Sequence, residues 1–528
     1  MFKKAILKKK EKGVALIFAL ILMVVLSVMA VSLMFVAQTE TWSSLNYRTM
    51  TQARYGAESG ISAAANYLTS TAYKNVAPGT ASDPLTNYNT AATTDGYVQR
   101  TSGGDVVLSA NSSQSSNYPL DAVRTAFVNA AAGNVTAGNN TVNYRPWAKL
   151  KSVKTIQSYA TGSQTALLTW EITSDGNIPG VKSGQVEVSA TLEQLAVPTF
   201  AYAAFADANG CAALSFGGGG TTNSYDSSTV ANAGTNSASV SFQNYGGNVG
   251  TNGNLTEKGG STVIYGSLST PRSGVGSCSS SNVTALTLSG SVQPTQGLVE
   301  LPQNINYDTP LAPSPVPPTT SMTVSNNSPS CASFPAGSCT TLPAKNPTDL
   351  YITAGSTPAT ATLLGNVTVK GNLHFTPPAG TAPGSPVYIN INSLTTNGTP
   401  TITIDPIPGT NPPQYADLVL NFAGNGTSTV IDMTGGSLVN NSLDPTTFQM
   451  VYAGTGQITL NGNSQAAGLV YAPNATVKFA GGSDWYGAVI ANSITDFGGA
   501  AIHYDRRLQK EMFMPGNFVL SAFDWKKF

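Results

Sequence analysis

A run of 24 residues without a single charge, from Val14 to Ala37, constrains this 528-residue chain more than any other feature. Only Ser27 and Ser32 interrupt its apolar character. A helix needs about 20 apolar residues to cross a hydrocarbon core, so the run is long enough to span one. Ahead of Gly13 lie Lys3, Lys4, Lys8, Lys9, Lys10 and Lys12 against Glu11, whereas the next basic residue after the run is Arg48. That asymmetry predicts a single pass with a cytoplasmic N-terminus and an exported C-terminal part. A cleaved secretory signal has a core of about 7 to 15 residues followed by a small-x-small site. Here the core is longer, and Phe35-Val36-Ala37 places phenylalanine at the first small position, leaving Ala30-Val31-Ser32 as a weak fallback.

The helical pattern continues past the apolar run. No proline occurs between Gln38 and Leu68, and Ala53, Ala57, Ile61, Ala64 and Leu68 recur at helical spacing. Gly56 and Gly60 lower the helix propensity without forbidding a helix. A helix from Val14 to Leu68 would be about 80 Å long. Its first half would lie in lipid or in a filament core, and its second half would pack on a globular head.

Lys12-Gly13-Val14-Ala15-Leu16-Ile17 ahead of the apolar helix resembles the class III signal of type IV prepilins. Gln52-Ala53-Arg54-Tyr55-Gly56-Ala57-Glu58-Ser59-Gly60-Ile61 is similar to the helix that follows in PilX-type minor pilins. The resemblance covers roughly residues 8–70. It implies that a prepilin peptidase cuts after Gly13 and methylates Val14. It also implies residence in a bacterial inner membrane and then in a pilus or at the cell surface, with other pilins and the pilus assembly machinery as partners. Most pilins carry glutamate at the fifth mature position, where this chain has Phe18. PilX-like proteins and the tip pseudopilin of type II secretion often share that absence, so the resemblance implies a special position in a filament.

Composition bounds the rest. Only 10% of residues are charged, and Gly, Ser, Thr, Asn and Ala dominate, a profile expected of an exported β-rich architecture with many turns. Of 26 basic and 26 acidic residues, six lysines and one glutamate lie in residues 1–13, so the remainder is 20 against 25, a net of −5. A weakly acidic exterior gives no footprint for nucleic acid. The four cysteines, Cys211, Cys278, Cys331 and Cys339, meet an oxidising compartment, where an even count favours disulfides. Cys331 and Cys339 bracket a short loop with Pro335 and Gly337, which pairs Cys211 with Cys278 by elimination. There is no Cys-x-x-Cys and only two histidines occur, His374 and His503, so neither a metal site nor a cofactor is expected.

The expected fold is mainly β with a long N-terminal α-helix: a pilin-like helix and antiparallel head, followed by a β-solenoid (β-helix-like) domain. The divisions are a leader at 1–13, the helix at 14–70 and an α+β head at 71–197. Solenoid parts follow at 198–305 and 351–505, separated by a Pro-rich insert or linker at 306–350, with a C-terminal cap at 506–528. In the head, Pro119 to Ala132 reads as a short helix, and Val186, Val188, Ala190 and Leu192 alternate with polar residues as one face of a strand. In the solenoid, Met450, Leu469 and Ala488 begin similar apolar quartets 19 residues apart. At the same offset Leu460 matches Phe479, Thr476 matches Thr495, Gly462 matches Gly481, Ser464 matches Ser483, and Gly468 matches Gly487. A fixed period near 20 is the signature of stacked coils. Pro310, Pro313, Pro315, Pro317 and Pro318 cannot donate to a strand ladder, hence the insert.

No catalytic constellation is legible. Asp417, Asp432, Asp484, Asp496, His503, Asp505 and Arg506 are the scattered candidates for a polysaccharide-cleaving site, and only the last three cluster. The run Gly217 to Gly220 precedes neither a helix nor a lysine, unlike a phosphate loop. The chain is therefore expected to be a non-enzymatic minor-pilin-like component of a type IV pilus or related filament. A head this bulky suits the tip, in assembly or adhesion, facing a glycan, a surface or a tip protein. The alternative is a signal-anchored envelope β-solenoid adhesin unrelated to pili; the third reading is a β-helix enzyme.

Overall fold

Helix α1 (Lys12–Thr69) runs for 58 residues, about 87 Å at the usual rise. The computed structural model containing it describes residues 12–70, 73, 88–94, 96–138, 140–162, 164–180, 184–327, 329–341, 349–461, 465–482, 484–496 and 499–527. The basic leader at 1–11, most of 71–87, part of the Pro-rich segment (342–348), and Gly462, Ser464 and Ser483 of the repeat lie outside the described residues. Residues 13–48 of α1 are exposed along their whole length, and an apolar window there has a mean hydropathy of 3.1. It is the one described helix long and apolar enough to cross a membrane.

The chain divides into two compact units. The first comprises Met1–Thr155, Thr165–Leu195 and Gly516–Phe528. Beyond residue 48 the helical spacing of small residues takes effect: Ala53, Ala57, Ile61, Ala64 and Leu68 are all buried, against Val142, Trp170 and Ile172 of a sheet. That sheet runs Val107–Ser109, Asn140–Gln157, Gln164–Asn177, Gln185–Pro198, Phe513–Lys527, with Gly133–Ala137 paired off its second strand. Close approach needs glycine on the sheet side. A Cβ on Gly176 would stand 1.9 Å from the Ala53 carbonyl oxygen. The short helix α2 (Asp121–Ala131) packs Val123 and Phe127 into the same core.

Two expectations change here. The strand Phe513–Lys527 pairs in this sheet, beside Gln185–Pro198, and Gly516–Phe528 belongs to the first unit, so of the expected cap at 506–528 only 506–515 stay with the second unit. Phe518 and Leu520 pack on the first unit's core, which gives the strand its place. The head is also not the contiguous span 71–197, because Ile156–Gln164 belongs to the second unit and Gly516–Phe528 to the first.

The second unit, Ile156–Gln164 and Ala196–Pro515, is a parallel sheet-rich body. Along one ladder the spatial order is 362–364, 386–391, 417–422, 448–452, 467–472, 486–491, 204–206, 249–251, 268–270, 298–300, parallel at every step. A second ladder follows the same order from 321–324 to 286–289. Strand alternation sets the faces: Leu418, Leu420 and Phe422 are buried, while Asp417, Val419 and Asn421 stand on the outer side.

The order differs from the expected sequence of coils. The rung latest in chain order, 484–496, pairs with the earliest, 204–216, so the later part of the chain precedes the earlier part in space. The 19-residue period is also local. Leu469 pairs with Ala488 and Leu460 with Phe479, but Met450 pairs with Val470, and Thr476 pairs with Ser493 in place of Thr495. Elsewhere the step grows to 45 residues, from Ala204 to Val249, because loops of different length leave the corners.

Nor is the Pro-rich segment an interdomain linker. It returns the chain from the rung at 298–300 to the opposite end at 321–324, across about ten rungs or roughly 45 Å. Its carbonyls are held by a series of asparagine side chains. Asn252 donates to Ile305 O, Asn390 to Pro315 O and Asn366 to Thr319 O, while Asn474 reaches the Thr309 hydroxyl. Proline supplies no N–H for a ladder, so carbonyl-to-side-chain bonds are what remain to fix such a strap.

Candidate functional site

The residues expected to guide assembly lie at the start of α1. A Cβ built on Gly13 would meet nothing within 4 Å, and Val14 and Phe18 are 56% and 67% exposed. Ala37, the expected end of the span, lies inside the helix, which continues without a break to Thr69. The cysteines form two disulfides, Cys211–Cys278 and Cys331–Cys339.

Of the scattered candidates for chemistry His503 and Asp484 meet, but the seven do not converge on one site. Asp505 is buried at the start of a short 3₁₀ turn (Arg506–Lys510), where it accepts from the backbone N–H of Ser227 and Arg507. His503 stacks on Phe242 at 4.1 Å and lies 3.5 Å from Asp484, while Arg506 donates to the Tyr245 hydroxyl. Asp432 caps a turn through Thr434, and Asp496 is buried, accepting from the Ala500 N–H. His374 contacts Asp405 at 2.9 Å and stacks on Tyr351. Among the described residues, no group of three or more His, Cys, Asp or Glu side chains is arranged to hold a metal.

Asp417 is the exception, because it lines two adjoining cavities of the second unit, of about 610 and 890 Å³. In the smaller, Arg507 donates to Asp444 at 2.8 Å, to Glu511 at 3.1 Å and to the Ser227 hydroxyl at 2.9 Å. The larger is floored by outward positions of three neighbouring strands: Tyr388 on Pro386–Thr396, Asp417 and Asn421 on Asp417–Phe422, and Gln449 on Phe448–Tyr452. Its walls come from 156–162 and from the strap at 311–314. Convergence of segments so distant in sequence on one concave surface is typical of binding sites.

The electrostatics of this floor centre on Asp417. Burial, aided by the charges of Asp444 and Glu511, pushes its carboxyl up to about 7. The same carboxylate adds to desolvation in raising the Tyr388 and Tyr159 hydroxyls, consistent with all three facing one space. Tyr159 donates to Gln449 Oε1 at 3.0 Å, which in turn donates to Thr446 O. Asn421 donates to Asn390, and Asn390 to the strap at Pro315.

Sequence reasoning named Asp417 but not Tyr159, Tyr388, Asn421 or Gln449. The available signal was alternation: Val387, Ile389 and Ile391 on the core face alternate with Tyr388 and Asn390 on the opposite face. Which strands stand side by side was not encoded locally.

Residues 12–62 match the family model described as PilX N-terminal. Residues 392–511, which include Asp417, Gln449 and Arg507, match a domain of unknown function (DUF7305). No curated protein sequence matches the chain. Among solved structures, the competence-associated pilin ComZ from Thermus thermophilus is similar at 12% identity, over 75% of this chain and 86% of that one. The TM-score of 0.23 is too low to assign a shared fold.

Proposed function

We propose, from an N-terminal segment that is type IV minor-pilin-like, that the chain is a non-enzymatic filament component which carries its parallel β body as a displayed, β-solenoid-like head. The carrying observation is the PilX N-terminal match over residues 12–62 on a helix whose apolar half is wholly exposed. In this reading Gly13 precedes the peptidase cut, Val14 becomes the methylated first residue, and the single pass awaits transfer into a bundle of pilin helices. Phe18 removes the carboxylate by which ordinary subunits pair with a neighbour. A body of more than 300 residues would crowd a shaft repeating at helix-packing distances, which favours the tip and a role in assembly or adhesion.

N-terminal sequencing of protein extracted from membranes and from sheared filaments tests this. A start at methylated Val14 and labelling at filament ends are expected. An intact Met1, or a chain absent from filaments, overturns the reading and leaves a signal-anchored envelope adhesin.

A further inference from the structure

The 890 Å³ cavity has a composition that selects among ligands. None of its lining residues is lysine or arginine, so a phosphate, sulfate or uronate would find no counter-charge. Its floor is the face of a ladder, not an edge. Asp417–Phe422 is paired in parallel on both sides, with 386–391 and 448–452. The backbone groups there are spent, so a peptide cannot add as a strand, and recognition must come from side chains. Those side chains are of two kinds, interleaved. Tyr159, Tyr388, Pro313 and Val419 offer apolar surface, and between them lie the Asp417 carboxylate and the amides of Asn421 and Gln449, which also hold Asn390, Tyr159 and Thr446 O.

We propose that this cavity binds an uncharged oligosaccharide. Resting on the display role above, the inference names that head's ligand. A pyranose carries an apolar C–H face beside a rim of hydroxyls, which matches tyrosine rings set next to a carboxylate and amides. The hydroxyls donate to Asp417 and both donate to and accept from the amides; the register row Tyr388–Val419–Gln449 steps across the floor at about 4.8 Å, with Asp417 and Asn421 two residues to either side of Val419 on the middle strand. The volume lies within the range of small-ligand clefts, enough for a short oligomer with solvent at its ends. Asp444 and Glu511 next door are already engaged by Arg507, which leaves Asp417 as the carboxylate free to face a ligand.

The test uses the full chain in a detergent without a sugar headgroup. Saturation-transfer NMR and calorimetry are run against maltotriose, cellotriose, chitotriose and mannotriose, with trigalacturonate as the charged counterpart. At least one neutral trisaccharide should bind, and Tyr388→Ala and Asn421→Ala should each weaken it at least tenfold, with Asp484→Asn unchanged. Thermal unfolding verifies that each variant is folded, and Val451→Trp, which fills the cavity wall, gives an independent block. Binding to no neutral trisaccharide, preference for trigalacturonate, or binding that survives the folded variants overturns the proposal. A chain processed after Gly13 and recovered in filaments, yet without saccharide binding, defeats this inference alone. Saccharide binding by an unprocessed chain defeats the pilin reading alone.

Discussion

Glu257 is fully buried in the strand Leu255–Lys258, in register between Phe216 and Leu288. Neither carboxyl oxygen has a hydrogen-bond partner among the described residues, and burial pushes the group up to about 8. An ionised carboxylate there would cost far more than a neutral acid, so the folded state holds the proton. The folded pKa lies above the unfolded one, so this stabilisation is complete below about pH 4.5 and is lost as pH rises through about 8. Thermal unfolding of the chain should therefore show a midpoint that falls between pH 5 and pH 9, by an amount equivalent to a few kcal/mol. Glu257→Gln, of equal size and neutral throughout, should flatten that fall. Asp417, raised to about 7, and Asp207 and Asp505, raised to about 6, act in the same direction at lower pH and leave a residual slope. Identical slopes in the two proteins would show that Glu257 does not hold its proton.

At the scale of elements, the docking of α1 depends on what the sheet omits. A methyl group on Gly176 would lie 1.9 Å from Ala53 O and 2.7 Å from Ala57 N, backbone atoms that cannot turn aside. Gly176→Ala should destabilise the first unit by about 2 kcal/mol or more through overpacking, read as an earlier unfolding transition. The helix face that meets Gly176 was legible beforehand, since Ala53, Ala57, Ile61, Ala64 and Leu68 mark it by local periodicity. So was the alternation of Val186, Val188, Ala190 and Leu192. The strap was not. Its prolines announce an irregular segment, but its path is set by Asn252, Asn390 and Asn366, which lie 53, 75 and 47 residues away. The site shared this fate: Tyr159 and Tyr388 reach one cavity from segments whose meeting no local pattern encodes. The tail misled for a related reason, because its aromatic residues fit a cap as well as a strand, and only pairing with Gln185–Pro198 decides.

Across the whole molecule, the rung at 484–496 closes the second unit upon its own beginning. Val489 pairs with Ala204 and Ile494 with Leu214, and all four side chains are buried. The two halves of the stack thus share one core and should melt together. Val489→Lys buries an unpaired charge at the junction, at a cost of several kcal/mol. Calorimetry should then resolve the single transition of the second unit into two, whereas one unsplit, unshifted transition would show that the junction does not couple them.

The chain passes between the units four times, at Thr155–Ile156, Gln164–Thr165, Leu195–Ala196 and Pro515–Gly516, and the four strands that carry these crossings stand side by side in the first unit's sheet. A load pulling the units apart would consequently be shared by four covalent lines on adjacent, paired strands. Rupture of such a pair under load along the strands means shearing several hydrogen bonds at once, not peeling them in turn. Crossings of this kind tie the second unit to the first by four anchors, suited to bearing load.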